Sequence, residues 1–251
     1  MSIFLKQFET QAAYEAAESG LILPNVSLIL DNNAVHYKPW VDPCASEKVK
    51  TTYEWVEIGG VKWATKNVGA LTVTDYGQYF SWGEVNGYTA DQVSGGCKAF
   101  SWFDYELANG SSSDITKYNS TDGKTVLEAS DDAATVNMGS GWRMPTKDEY
   151  ASLGNAVNTA FTTNYQGTGV AGLVCTDKTD RSKVLFFPAC GYCNQGRVLN
   201  VGNYAFYLSS SLYNNIQSST ALNIVVNYGF VFWENYATRC NGCSIRAVVN
   251  E

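Results

Sequence analysis

Histidine, long apolar runs and, toward its end, formal charge are what this 251-residue sequence has least of. One histidine is present, His36. It removes Ser-His-Asp and Cys-His chemistry from any domain that does not contain it. No run approaches the roughly 18 consecutive apolar residues of a membrane span, and residues 1–10 show neither a basic leader nor the ~7–15-residue apolar core of a secretory signal. A chain made in the cytoplasm without a signal peptide, soluble and not inserted into a membrane, is the expectation. With 17 Lys and Arg against 24 Asp and Glu the net charge is −7, so the basic stripe that nucleic acid requires is missing. No Gly-rich loop follows a strand and opens a helix, which excludes phosphate and dinucleotide sites. Seven cysteines are an odd number and cannot all pair internally; most are expected to be reduced thiols.

The shortage of charge is local. After Lys183 there is no lysine and no aspartate, and the last 68 residues carry only Arg197, Glu234, Arg239, Arg246 and Glu251 as charged side chains. What fills the segment instead is Tyr, Asn, Ser and Gly, concentrated in residues 191–219 and 223–241, with Tyr192, Tyr204, Tyr207, Tyr213 and Tyr236 among them. Tyrosine offers a large amphipathic contact area at low entropic cost, and Ser, Asn and Gly supply adaptable hydrogen bonds, as in antibody paratopes. Ordinary β-turns and strands also favour these types. They do not favour the loss of lysine and carboxylate, since solvated loops normally keep both.

Along the chain, Phe4, Phe8, Ala12 and Ala16 recur at helical spacing in residues 3–19 before Gly20, and two short strands flank Asp31-Asn32-Asn33. A helix plus one hairpin is too small for its own core, so residues 1–43 read as an attachment or assembly segment and 44–52 as a linker. Residues 53–251 read as one β-rich α+β domain of antiparallel sheets with two short helices. Gly59-Gly60 marks a hairpin between residues 53–58 and 61–65. Residues 91–124 read as a long irregular insertion. A helix is expected at 129–137, capped by Ser130 or Asp131, and another at 147–157, where Thr146 and Glu149 stand at capping-box spacing. Strands are expected at 170–176 and 184–188, and framework strands at 208–212, 221–222 and 244–249, with Trp233 as a core or rim aromatic. Asp131-Asp132 could pair as catalytic carboxylates, but capping explains both more simply.

Two C-x-x-C pairs, Cys190 with Cys193 and Cys240 with Cys243, have the types for a four-thiolate zinc site. They lie far apart in sequence, and a domain this size needs no metal staple, so buried or partly exposed thiols are the simpler reading and no cofactor is expected.

Seven stretches, in order, resemble a known family: Val61-Lys62-Trp63-Ala64-Thr65-Lys66-Asn67-Val68-Gly69-Ala70, Tyr76-Gly77-Gln78-Tyr79-Phe80-Ser81-Trp82-Gly83-Glu84, Asp131-Asp132-Ala133-Ala134, Gly141-Trp142-Arg143-Met144-Pro145-Thr146, Phe187-Pro188-Ala189-Cys190-Gly191-Tyr192, Leu208-Ser209-Ser210-Ser211 and Ser244-Ile245-Arg246-Ala247-Val248. Together they look like the C-type lectin-like variable proteins of diversity-generating retroelements from gut bacteria and their phages, which are related in fold to formylglycine-generating enzymes. The resemblance implies a C-type lectin-like fold from residue 53 onward. It also implies a hypervariable region at about 190–243, rewritten by adenine-directed copying of a template repeat. Asn codons treated in this way reach Tyr, Ser, Phe, Asp and Cys but never Lys, Glu, Gln, Met or Trp, which accounts for the missing lysine.

The positions expected to form the variable ligand-binding surface are Cys193, Asn194, Asn203, Tyr204, Phe206, Asn214, Asn215, Asn227, Tyr228, Phe230, Asn235 and Tyr236, with Trp233 and Glu234 as fixed neighbours. The calcium-site sequences of sugar-binding lectins are absent, Trp233-Glu234-Asn235 being a distant echo. The function expected is that of a non-enzymatic binding protein for a protein or glycan on a target cell, carried on a virion such as a phage tail, or displayed on a cell surface. A homo-oligomer would add avidity. Two other classes compete: a formylglycine-generating-type cysteine oxidase using Cys190 and Cys193, and a zinc-stapled structural adhesin subunit.

Overall fold

Gly59 and Gly60 have φ of +64° and +77°, the paired left-handed conformation that a two-residue hairpin turn demands. They join β3 (Trp55–Ile58) to β4 (Val61–Ala64) as the sequence predicts. The structure is a computed structural model and describes residues 26–31, 34–39, 42–45, 52–213, 219–227 and 230–250. The chain divides into two compact units, Met1–Ala45 and Ser46–Glu251.

In the first unit, β1 (Val26–Asp31) and β2 (Ala34–Pro39) form an antiparallel hairpin, with His36 opposite Ile29. The helix expected at residues 3–19 lies outside the described residues.

The second unit is built from antiparallel sheets with three short helices among the described residues. The mixed, mainly β architecture follows the α+β expectation, with one helix more than expected. That helix, α1 (Ala90–Ser94), opens the segment read as wholly irregular; Thr89 and Gln92 close a capping box around its first turn. Helix α2 (Ala133–Met138) starts later than expected. Its cap is Asp132, whose carboxylate accepts from Thr135 N (2.9 Å) and Met144 N (2.8 Å). Asp131 is turned away by Lys117 and by the Tyr118 hydroxyl. Strand β5 (Trp142–Arg143) then leads into α3 (Lys147–Ala156), whose Thr146–Glu149 capping box is formed in full. Next come β6 (Val157–Thr162), β7 (Gly172–Asp177) and β8 (Val184–Pro188), a three-stranded meander. The small hairpin of β9 (Tyr192–Asn194) and β10 (Arg197–Leu199) follows, and then a second three-stranded sheet of β11 (Tyr204–Leu212), β12 (Thr220–Asn227) and β13 (Phe230–Thr238). Strand β14 (Val248–Val249) returns to sit between β4 and β5, with Val248 opposite both Trp63 and Arg143.

The seven resembling stretches meet in space. Trp82 Nε1 donates to Ser209 O at 3.0 Å, Phe80 bridges Cys243, and Trp63 pairs with Val248. Trp63, Tyr150, Leu153, Phe187, Tyr207, Ile224 and Val226 form one core cluster, and Phe80, Trp82, Tyr118, Met144, Leu208 and Ile245 another. The insertion is tied to the second stretch by a buried ion pair, Lys98 Nζ to Glu84 at 2.9 Å, with Glu106 N donating to the same carboxylate at 2.7 Å.

Burial raises Asp132 and Glu84, but three other carboxylate clasps set an acid limit on stability. Burial opposes ionisation at Asp104, Asp131 and Glu149. Hydrogen bonds from Ser101 and Ala99 at Asp104, from Lys117 and Tyr118 at Asp131, and from Arg143 and Thr146 at Glu149 outweigh it and hold all three below their ordinary values. A carboxylate whose folded pKa is depressed stabilises the fold above its unfolded value and loses that contribution as pH falls through the folded one. The unfolded references are 3.8 for Asp and 4.5 for Glu. Stability is therefore expected to fall progressively as pH drops below these references, and Glu149→Gln should flatten part of that fall. Urea midpoints measured across the acid range check this; an unchanged slope in Glu149→Gln would refute the assignment.

Candidate binding surface

Cross-strand register in the β11-β12-β13 sheet decides which side chains share a face. Tyr204 pairs with Asn227 and Asn227 with Phe230; one step along, Phe206 pairs with Val225 and Val225 with Phe232. Paired residues of antiparallel strands project to the same side, so these six positions form two adjacent rows on one face. The opposite face carries Ala205, Tyr207, Ile224, Val226 and Val231 into the core beside α3. Trp233 joins them because Gly154 of α3 lets its ring approach; a Cβ there would come within 2.7 Å of the indole. A register shift follows, in which the step from Val225 to Asn223 on β12 is matched by the longer step from Phe232 to Asn235 on β13. It is a β-bulge, and Glu234 stands exposed within it.

The rows are aromatic at their flanks, with Val225 and Asn227 buried between, and they are open at the β13 side. Phe230 and Phe232 are 52% and 50% exposed, with ring centroids 5.0 Å apart at 69°, and Tyr192 from β9 packs edge-on against Phe206 at 4.9 Å. Tyr236, 54% exposed, pairs with Tyr213 at 4.7 Å; it stands opposite Leu222, beyond the bulge and outside the two rows. Adjoining the Tyr192 strand, Asn194 Nδ2 donates to Asn241 Oδ1 at 2.7 Å.

Charge is scarcer here than the sequence count suggests. Of the charged residues after Lys183, Arg239 and Arg246 are completely buried. Arg239 lies over the Trp82 ring and donates to Tyr105 Oη, Tyr118 O and Lys117 O; Arg246 lies over Phe187 and donates to Ala64 O, Thr65 O, Asn67 Oδ1 and Phe186 O. Both are internal struts. Among the described residues, the surface after Lys183 therefore keeps only Arg197 and Glu234 as formal charges.

The expected site residues divide accordingly. Asn203, Phe230 and Tyr236 are exposed, and Asn194, Tyr204, Phe206 and Asn235 are half-buried. Cys193 and Asn227 are corrections. Cys193 has no exposed surface, since its strand bridges Gly242 and its side chain lies in a cluster with Tyr79, Val93 and Phe100; Asn227 is buried at the centre of its row, paired with Tyr204 and Phe230. Asn214, Asn215 and Tyr228 lie outside the described residues. Phe232 belongs to the surface although the expected set omits it, and the alternation Phe230, Phe232 was the signal available.

The thiols do not gather as a metal centre. Cys175, Cys190, Cys193, Cys240 and Cys243 are free and buried. Among the described residues no group of three or more His, Cys, Asp or Glu could hold a metal ion, so the zinc candidate Cys190, Cys193, Cys240 and Cys243 is not assembled. Cys190 Sγ instead meets Ser244 Oγ at 2.8 Å. Burial raises the Cys190, Cys193 and Cys243 thiols, and Cys240 is pushed up to about 12. A nucleophilic thiolate needs the reverse. No helix among the described residues is long and apolar enough to cross a membrane. Compared with protein-family models, curated proteins and solved structures, the chain matches none.

Proposed function

We propose that this chain is a binding protein whose C-terminal region displays a diversified, nearly uncharged Tyr/Asn/Phe-rich surface on a C-type lectin-like scaffold, for attachment of a virion or a cell to its target. The observation that carries the reading is the pair of aromatic rows on the β11-β12-β13 sheet, open to solvent at Phe230 and Phe232 and flanked by Tyr192, Tyr204 and Phe206. Half-exposed aromatics set in an uncharged surround have the composition of interface hot spots. The buried struts Arg239 and Arg246 support the same reading, because they anchor the C-terminal end of the segment without reaching its outward positions. Residues 1–43 would attach the domain to a larger particle. The oxidase alternative finds less support, since Cys190 and Cys193 are both buried and their thiols raised.

Two measurements test it. Sequencing the gene with its flank in sibling isolates should show a near-copy of the 3′ segment differing at adenines, beside a reverse-transcriptase frame. Variation should concentrate at Asn194, Asn203, Tyr204, Phe206, Phe230, Asn235 and Tyr236, with Trp233 and Glu234 constant. A locus without the repeat removes the diversification claim. On cells that the wild-type chain binds, the double variant Phe230→Asp/Phe232→Asp should bind at least ~30-fold more weakly, the loss of a hot spot worth about 2 kcal/mol or more. Unchanged binding by a folded double variant would place the contact elsewhere.

A further inference from the structure

Strand β13 is the edge of its sheet, and among the described residues no strand pairs with its outer side. Edge strands usually carry lysine, proline, an inward charge or a bulge that twists the edge away from another chain; the bulge of β13 protects only the part of the strand beyond Phe232. β13, Phe-Val-Phe-Trp-Glu-Asn-Tyr-Ala-Thr, has neither lysine nor proline, and its one charge, Glu234, stands in the bulge rather than in the regular stretch before it. That regular stretch, Phe230-Val231-Phe232, reads the same in both directions. An antiparallel pairing of two identical strands about a two-fold axis sets residue i of one copy against residue j of the other and j against i, so in this stretch phenylalanine meets phenylalanine at both pairs.

We propose that two copies of this chain pair through the outer edges of β13, about a two-fold axis through Val231, so that Phe230 of each copy lies opposite Phe232 of the other. The pairing joins two three-stranded sheets into one of six strands and sets four half-exposed phenylalanine rings side by side on one face. Cross-strand aromatic neighbours of this kind are favourable, and uncharged side chains meet uncharged ones. An axis at Phe232 would set Phe230 against Glu234, and an axis at Glu234 would place that carboxylate against itself. Three residues of pairing and four rings bury less than the ~1,200–2,000 Å² of a stable interface, so the dimer is weak and concentration-dependent. The aromatic rows stay open above the sheet, doubled in width. The inference goes beyond the display reading and does not depend on any target.

Sedimentation velocity of the full chain between about 10 μM and about 1 mM should show a monomer–dimer equilibrium that Phe232→Asp shifts wholly to monomer. The register has its own readout. Under mild oxidation, an equimolar mixture of Phe230→Cys and Phe232→Cys chains should form disulfide-linked dimer several-fold faster than either variant alone, read against the wild type as blank. A wild-type chain that is monomeric throughout overturns the inference while leaving target binding untouched, as does a monomer whose edge takes up an alternating Thr/Val peptide instead. A dimer that survives Phe232→Asp, or cross-linking equal in all three samples, overturns it equally.

Discussion

Arg246→Met is expected to abolish cooperative folding. The guanidinium is fully buried and donates to four separate acceptors, at 3.1 Å to Ala64 O, 2.8 Å to Thr65 O, 2.6 Å to Asn67 Oδ1 and 2.8 Å to Phe186 O. These acceptors come from β4, from the loop after it and from β8, so one side chain ties three segments together. Methionine fills similar space but takes the guanidinium donors away from four oxygens, three of them in buried bonds. At about 1–3 kcal/mol for each orphaned group, the loss rivals the ~5–15 kcal/mol that a whole domain commands. Lysine should do little better, because a single ammonium cannot reproduce the planar fork. Near-UV circular dichroism and a urea transition on the purified variants check this. A cooperative transition in Arg246→Met within ~2 kcal/mol of the wild type would show that the network relaxes around its loss.

This arginine also shows what could and could not be read beforehand. In the sequence Arg246 was one of five charges in a depleted segment; only the three-dimensional fold reveals that it and Arg239 are not surface charges at all. Local signals carried well where both partners were close in sequence. Thr146 and Glu149 specify the start of α3, and Gly59-Gly60 suits a turn that needs positive φ at both positions. The α2 cap went to Asp132 rather than Asp131 because the choice was made by Lys117 and Met144, each more than a turn away along the chain. Helix α1 leaves little sequence signal beyond its Thr89–Gln92 box, because five residues are too few for a periodicity to show. On the sheet, composition indicated aromatic and amide contact residues, but the face each one joins depends on register and on a bulge. Neither leaves a mark in composition, which is why Cys193 and Asn227 were placed on the surface and Phe232 was not.

Asn223→Leu is expected to stabilise the protein. Asn223 lies on β12 between Leu208 of β11 and Asn235 of β13, only 2% exposed, and neither its Nδ2 nor its Oδ1 has a hydrogen-bond partner. Around it stand Lys147, Tyr150, Ser209, Trp233 and Glu234. A buried carboxamide with neither end satisfied costs about 1–3 kcal/mol, and an apolar residue of similar volume removes that cost while adding packing. For a chain of this size each kcal/mol is worth about 2–4 °C, so a rise of several degrees in Tm should follow. The position sits where the open aromatic rows give way to the packed end of the sheet, one pair beyond Val225 and Phe232. On the proposed diversification, a template would supply asparagine here and the strand would carry it inward where it has nothing to bond. If that is its origin, Asn223→Leu should gain stability without altering attachment by Phe230 and Phe232, and thermal melts run beside the cell-binding assay separate the two effects. A fall in Tm would show that the amide finds partners in solution and that the strand keeps asparagine for its own packing.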